Sequence, residues 1–147
     1  MKYVEKNLLP DEHIMQSVKI HWAIFLRPLI FFIIGVMLMF TSYDAFGIFF
    51  LFVSSPFLIK AYIVKISTEF AITNKRIISK QGLVSRKTTE LNLSKVESLN
   101  VDQDIDGRLL NYGTLTFNGT GGVKTFFKFI AKPLEARRAV NTQIESL

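Results

Sequence analysis

Two long apolar runs dominate the hydropathy pattern. The first extends from Trp22 to Phe40 and has no polar side chain between Phe31 and Phe40. The second extends from Ala45 to Val64. Each is close to the roughly 20 residues that a helix needs to cross a bilayer. Neither shows the polar stripe of a helix lying on a protein surface. Only Thr41, Ser42, Tyr43 and Asp44 join them. The pattern therefore predicts an antiparallel transmembrane hairpin over 22–66. Gly35 falls at the depth of Ser54 and Ser55, where small residues let helices approach closely. Gly35 and Gly47 do not make a GxxxG motif. Pro56 predicts a kink in the second span.

Outside the hairpin the period changes to two. Ile14, Gln16, Val18 and Ile20 alternate with Met15, Ser17, Lys19 and His21, which suggests a short strand or an extended lead into the first span. After Ser67 come strand patterns over 68–73, 76–80, 88–93, 96–101, 114–118 and 123–130. Asn74-Lys75 and Gly119 to Gly122 supply turns. Pro133 opens a terminal helix, in which Ala136, Val140, Ile144 and Leu147 recur at helical spacing. Six or more short strands and one helix predict a small barrel or strongly bent sheet plugged at one end. The expected fold class is α+β. The expected organisation is an N-terminal segment 1–21, a two-helix hairpin 22–66 and a compact domain 67–147.

Charge sharpens this division. The chain has 147 residues and a formal net charge of +6. Residues 23–66 carry only Arg27, Asp44, Lys60 and Lys65, whereas 67–147 carry 12 basic and 8 acidic side chains. Lys2, Lys6, Lys19 and Arg27 precede the hairpin, and Lys60, Lys65, Lys75 and Arg76 follow it. The turn holds only Asp44. The positive-inside rule then places both termini in the cytoplasm. Arg27 and Lys60 fall at nearly the same depth, about 25 Å from the turn at 1.5 Å per residue. There they can snorkel to lipid phosphates, form an anionic-lipid pocket or line a pore.

Several stretches resemble the bacterial PH-like membrane proteins that carry two spans followed by a pleckstrin-homology domain. They are Leu8-Leu9-Pro10-Asp11-Glu12, His21-Trp22, Ile72-Thr73-Asn74-Lys75-Arg76-Ile77-Ile78 and Gln81-Gly82-Leu83. Arg108-Leu109-Leu110-Asn111-Tyr112-Gly113-Thr114-Leu115 and the Gly121-Gly122 turn complete the set. The resemblance implies a PH-like fold for 67–147, a place in the bacterial inner membrane and a tendency to self-assemble. It implies no reaction. In the arginine-led motif, Gly113 suits a left-handed residue, and Leu109, Leu110 and Tyr112 are expected to pack on the barrel.

Candidate chemistry is sparse. With no Cys there is no disulfide, thiol nucleophile or cysteine metal site. Asp102, Asp104 and Asp106 begin like a calcium loop, but the position of its bidentate Glu is Gly113. Gly119 to Thr125 lacks the Gly-Lys pair and the following helix of a phosphate loop. His13 and His21 have no partners at metal-ligand spacing. No cofactor, metal or catalytic residue is expected, and the chain is not expected to be an enzyme. Eight acids among twelve bases argue against nucleic acid.

Two surfaces carry the functional expectation. Arg27, Lys60, Lys65, Lys75, Arg76 and Lys80 cluster in sequence around the second span as candidate lipid contacts. Asn74-Lys75 is only a tight turn, where phosphoinositide-binding PH domains have a longer basic loop. In the last strand Phe127 and Phe129 share a face with Val123, which leaves Lys124, Phe126, Lys128 and Ile130 on the other. An apolar pair on that face predicts cover by a neighbouring subunit or the membrane. The expected function is a membrane-anchored interaction and assembly module, homo-oligomeric and in contact with membrane lipids, with a membrane protein as a further possible partner. A sensor of anionic lipid or a small molecule, and a subunit of a pore or transport complex, are the alternatives.

Overall fold

The computed structural model describes residues 2–83, 86–120, 122 and 124–145. Gly121, Val123 and Leu147, which the pattern assigns to the turn, the last strand and the terminal helix, lie outside the described residues. The chain divides into two compact units. One comprises 1–21 together with 67–147, and the other comprises 22–66.

In the first unit, β1 (Ile14–Val18), β2 (Glu69–Thr73), β3 (Arg76–Gln81) and β4 (Lys87–Asn92) form an antiparallel sheet in that order. A 3-10 turn at Leu93–Lys95 leads into a second antiparallel sheet of β5 (Val96–Asp102), β6 (Tyr112–Gly119) and β7 (Lys124–Ala131). The period-two patterns thus form strands within a residue or two of their predicted bounds. Between β5 and β6 lies α4 (Ile105–Leu110), and the chain ends in α5 (Pro133–Glu145).

The inward faces of both sheets meet in one core that includes Phe70, Ile72, Ile77, Leu115, Phe117 and Phe127. Ala136 and Val140 of α5 close it, both fully buried. Phe70 and Phe127 stack edge to face with ring centroids 4.5 Å apart, near the close end of favourable aromatic geometry. The sheets also join through the chain beyond β1. Ile20 bridges Ile130, His21 N–H donates to Phe129 O at 2.7 Å, and Ala131 N–H donates to Lys19 O at 3.0 Å.

This corrects the reading of 1–21 as a separate segment. β1 pairs with β2 across the whole apolar insertion, Val18 opposite Phe70. An edge strand leaves backbone groups unpaired, and β1 satisfies them on β2 while its extension reaches β7. The outer face of the first sheet is covered too. Val4 of α1 (Lys2–Lys6) packs with Ala71 and Ile78 in a second, smaller core. The Glu69 carboxylate accepts the Tyr3 and Val4 N–H groups at 3.0 and 3.3 Å, partnering two donors that a helix start leaves without intrahelical bonds.

The second unit is helical. A 3-10 turn at Trp22–Phe25 precedes α2 (Leu26–Leu38), and α3 runs over Asp44–Ser67. Among the described residues, α3 alone is long and apolar enough to cross a membrane, and the first apolar segment is shorter, Trp22–Leu38. Of the two expected spans, the second thus meets that length and the first falls short of it. Proline has no N–H and fits the first turn of a helix without loss of an intrahelical bond, which suits Pro28 to the start of α2. At the other end, Met39 to Tyr43 turn, with the Thr41 hydroxyl donating to Leu38 O at 2.8 Å. The close approach of the helices falls at Gly35 and Gly47 rather than at Gly35 and the serines. A Cβ on Gly47 would lie 2.8 Å from Gly35 O. Helix α3 runs on through Pro56. Pro56 removes the donor for Phe52 O, and the Ser55 hydroxyl fills that place at 3.0 Å.

Candidate interaction surface

Within the first unit, Lys75 and Arg76 do not lie together with Lys80. Arg76 begins β3 and Lys80 lies near its end, about 13 Å away at 3.3 Å per residue. The chain leaves for and returns from 22–66 at the Val18 and Glu69 ends of β1 and β2. Glu69 is opposite Lys80. Lys80 therefore lies at the strand ends next to the insertion, while Lys75 and Arg76 lie at the far end. Lys80 Nζ sits 5.3 Å from the centre of the Tyr3 ring, within cation–π range. In the other unit Arg27, Lys60 and Lys65 are exposed, and Lys65 Nζ lies 5.3 Å from the Phe25 ring centre.

Lys75 and Arg76 belong to an internal clasp. Arg76 Nε and Nη2 donate to the two oxygens of Glu12, each at 3.0 Å. Its Nη1 donates to Glu90 at 2.6 Å and its Nη2 also to Asn7 O at 2.8 Å. Glu12 accepts further bonds from the Thr73 hydroxyl and the Leu9 N–H, both at 2.7 Å. Asn74 and Lys75 donate to Asp11 O and Pro10 O. Burial pushes the Glu12 carboxyl up. The hydrogen bonds from Arg76, Leu9 and Thr73 and the Arg76 charge outweigh it, holding Glu12 below the ordinary carboxylate range. The hydrogen bond to Glu12 is likewise the main cause that raises Arg76, against its own desolvation. The Leu8–Glu12 and Thr73–Arg76 motifs are two halves of one fastening. Arg76, a candidate lipid contact by sequence, already has two carboxylate partners.

The arginine-led motif is structural as well. Its left-handed residue is Asn111, at φ 59° after α4, and not Gly113. Gly113 is required because a Cβ there would lie 2.7 Å from Asp102 O. Tyr112 stacks between His21 and Phe129, and its hydroxyl donates to Asp106. Leu109 does not pack on the barrel: it is 81% exposed, as is its neighbour on the same helical face, Ile105, at 82%. Among the described residues, no group of three His, Cys, Asp or Glu side chains is placed to hold a metal ion.

The last strand contains the surface the sequence did not resolve. Gly113 and Leu115 of β6 face Ile130 and Phe127 of β7, so two residues on one strand match three on the other. The extra residue is taken up around Phe129, at φ 57°. Alternation resets there, and Ile130 turns into the core at 0% exposure. The expectation that Ile130 shares an outer surface with Phe126 is thereby corrected. Lys124 and Lys128 are exposed, and Phe126 is 55% exposed.

Beside them opens a cavity of about 380 Å³, lined by Gln81, Lys87 and Thr89 on β3 and β4 and by Lys124 to Phe127 on β7. It exists because the extension of β1 reaches only the Phe129–Ala131 end of β7. Phe127 joins its wall to the core, and Lys87 and Lys124 supply positive charge from opposite sheets. Gln81 pairs with Lys87 at the end of β3 and β4 next to Lys80, the end from which the chain passes to 22–66. Two cations, two threonine hydroxyls and an aromatic wall suit an anion that carries apolar bulk.

Two antiparallel sheets of four and three strands, with a terminal helix packed into their core, are consistent with a PH-like domain. The family model of the bacterial PH domain matches residues 16–146, and the chain belongs to that family. The match begins inside β1 and continues past the insertion, in keeping with β1 as part of the domain. No curated protein and no solved structure matches the chain. A PH-like domain is a lipid- or protein-interaction module.

Proposed function

We propose that the chain is a membrane-anchored PH-like module that engages anionic lipid headgroups through the rim of the cavity between β4 and β7. The observation that carries this is that Lys87 and Lys124, from different sheets, both line that cavity, with Phe126 exposed beside them. The anchor is 22–66. Among the described residues, most of the exposed large apolar side chains lie there, among them Phe40 at 87% and Phe52 at 78%, and apolar surface of that extent calls for lipid or protein cover. The cation distribution supports cytoplasmic termini, and the family resemblance supports an inner-membrane location. The reading needs no catalytic group.

The test is titration of the full chain in neutral detergent with short-chain phosphatidylglycerol and short-chain phosphatidylcholine. The expected result is preference for the anionic lipid, weakened about 30-fold in Lys87→Gln/Lys124→Gln at roughly 1 kcal/mol per cation. Equal binding of the two lipids, or an unaltered affinity in the double variant, overturns it.

A second reading, association of copies, is favoured by complementary surfaces on one chain. Ile105 and Leu109 stand exposed beside Asp104 and Asp106, and Phe126 stands exposed between Lys124 and Lys128. Such a head-to-tail contact builds rings or filaments. A single-subunit mass for the detergent-solubilised protein rejects it.

A further inference from the structure

The helical unit has its own groove, separate from the PH-like cavity. It measures about 430 Å³, within the roughly 300–1,000 Å³ of small-molecule sites. Arg27, Pro28 and Phe31 of α2 form one wall, and Phe49, Phe50, Val53, Ser54 and Phe57 of α3 form the other. The groove is elongated along α3, where Phe49 to Phe57 spans about 12 Å at 1.5 Å per residue. Phe31 and Phe50 stack with centroids 6.2 Å apart.

Its chemistry is uneven from end to end. Ser54 is buried, and its hydroxyl already donates to Leu51 O at 3.1 Å. The floor therefore offers no free donor to a polar ligand. Arg27 is the single charged residue of the lining and belongs to the first turn of α2, whereas the aromatic pair Phe31–Phe50 lies one turn farther along. Arg27 contributes its aliphatic stem to the wall and is exposed. A cation beside a trough of aromatic and aliphatic carbon selects an anionic amphiphile laid lengthwise. A neutral chain would leave the guanidinium without a counter-charge, and a polar solute would lose its hydration to carbon walls.

We propose that this groove is a lipid site, in which one acyl chain of an anionic membrane phospholipid lies along Phe49–Phe57 while its phosphate meets Arg27. The inference rests on the reading that 22–66 lies in a bilayer. It adds a second lipid contact, made to the chain of the lipid and not through Lys87 and Lys124.

The experiment uses the full-length protein in nanodiscs containing phosphatidylglycerol with a photoreactive diazirine in one acyl chain, followed by peptide mapping and native mass measurement after detergent extraction. Adducts are expected to concentrate between Phe49 and Phe57. One phosphatidylglycerol should survive extraction. Arg27→Gln should lower its occupancy about fivefold, the effect of roughly 1 kcal/mol, and Val53→Trp should remove it by filling the trough. Lys87→Gln/Lys124→Gln should leave it unchanged. Adducts spread evenly over α2 and α3, equal retention of phosphatidylcholine, or full occupancy in both Arg27→Gln and Val53→Trp overturns the site. Should occupancy fall in the lysine variant instead, the retained lipid belongs to the PH-like cavity and the groove is rejected. A free fatty acid in place of the phospholipid rejects the assigned ligand. A chain that purifies without detergent removes the bilayer reading and this inference with it. A chain that needs detergent and carries no lipid removes the inference alone.

Discussion

The two units solve the burial problem in opposite ways. The PH-like unit turns its aromatic residues inward: Phe70 and Phe117 are 1% and 0% exposed. The helical unit turns them outward, and Phe31, Phe46, Phe49, Phe52 and Phe57 are all more than half exposed. One residue type therefore has two roles in one chain. In the first unit phenylalanine supplies cohesion, through removal of about 25 cal/mol worth of contact with water per Å². In the second it presents a solvent-averse surface, and cohesion comes from close backbone approach at Gly35 and Gly47. Small residues let the two backbones approach closely, and Phe31 stacks on Phe50 across the pair.

Paired substitutions expose this difference. The largest effect belongs to Phe117→Ala, which opens a cavity between Phe70 and Phe127 and should cost the PH-like unit about 3–5 kcal/mol. Urea titration of the full chain in detergent, followed by hydrogen exchange at β6, reads that loss. Phe52→Ala should leave the same transition in place, and equal losses would break the comparison.

Next comes Glu12→Gln, which removes the carboxylate from a clasp where the Glu12 side chain is fully buried. Loss of one partner of a buried pair costs about 3 kcal/mol, and exchange should rise in both 2–13 and 73–76. The same clasp has an acid limit. The folded-state value of Glu12 is depressed from 4.5, so its contribution is whole above that pH and declines as pH falls through the lowered value. Stability of the native chain should drop in that window, and Glu12→Gln should not follow it. Parallel acid curves for the two proteins would rule out Glu12 as the cause.

The smallest effect is expected from Gly47→Val. Its Cβ would stand 2.8 Å from Gly35 O and 2.9 Å from Met39 N, and such overpacking costs about 1–3 kcal/mol. The chain has no native Cys, so disulfide yield in Phe31→Cys/Phe50→Cys reports the helix pairing directly. Gly47→Val should lower that yield without altering exchange in the PH-like unit.

Local periodicity made the strands legible. Alternation at Glu69–Thr73, Val96–Asp102 and Tyr112–Gly119 is a property of adjacent residues, and each forms a strand. What stayed hidden depends on distance or on a single dihedral angle. Glu12 and Arg76 are 64 residues apart, and no spacing rule connects them. Their motifs could be noticed in sequence, but not their mutual fit. The Ile130 error came from one extra residue near Phe129, which reverses every later side chain. The cavity escaped for a similar reason, because Lys87 and Lys124 come to line one space only once the two sheets fold over one core. Lys75 and Arg76, close to Lys80 in sequence, are separated from it along β3.

The placement of β1 before the insertion also sets an order of events during synthesis. Val18 cannot meet Phe70 until the ribosome has released roughly fifty further residues, all of the apolar unit among them. Until then the first strand has no neighbour on which to settle, and its own unpaired edge is a template for stray chains. Closure of the sheet thus comes only after the whole of the oily insert has been synthesised.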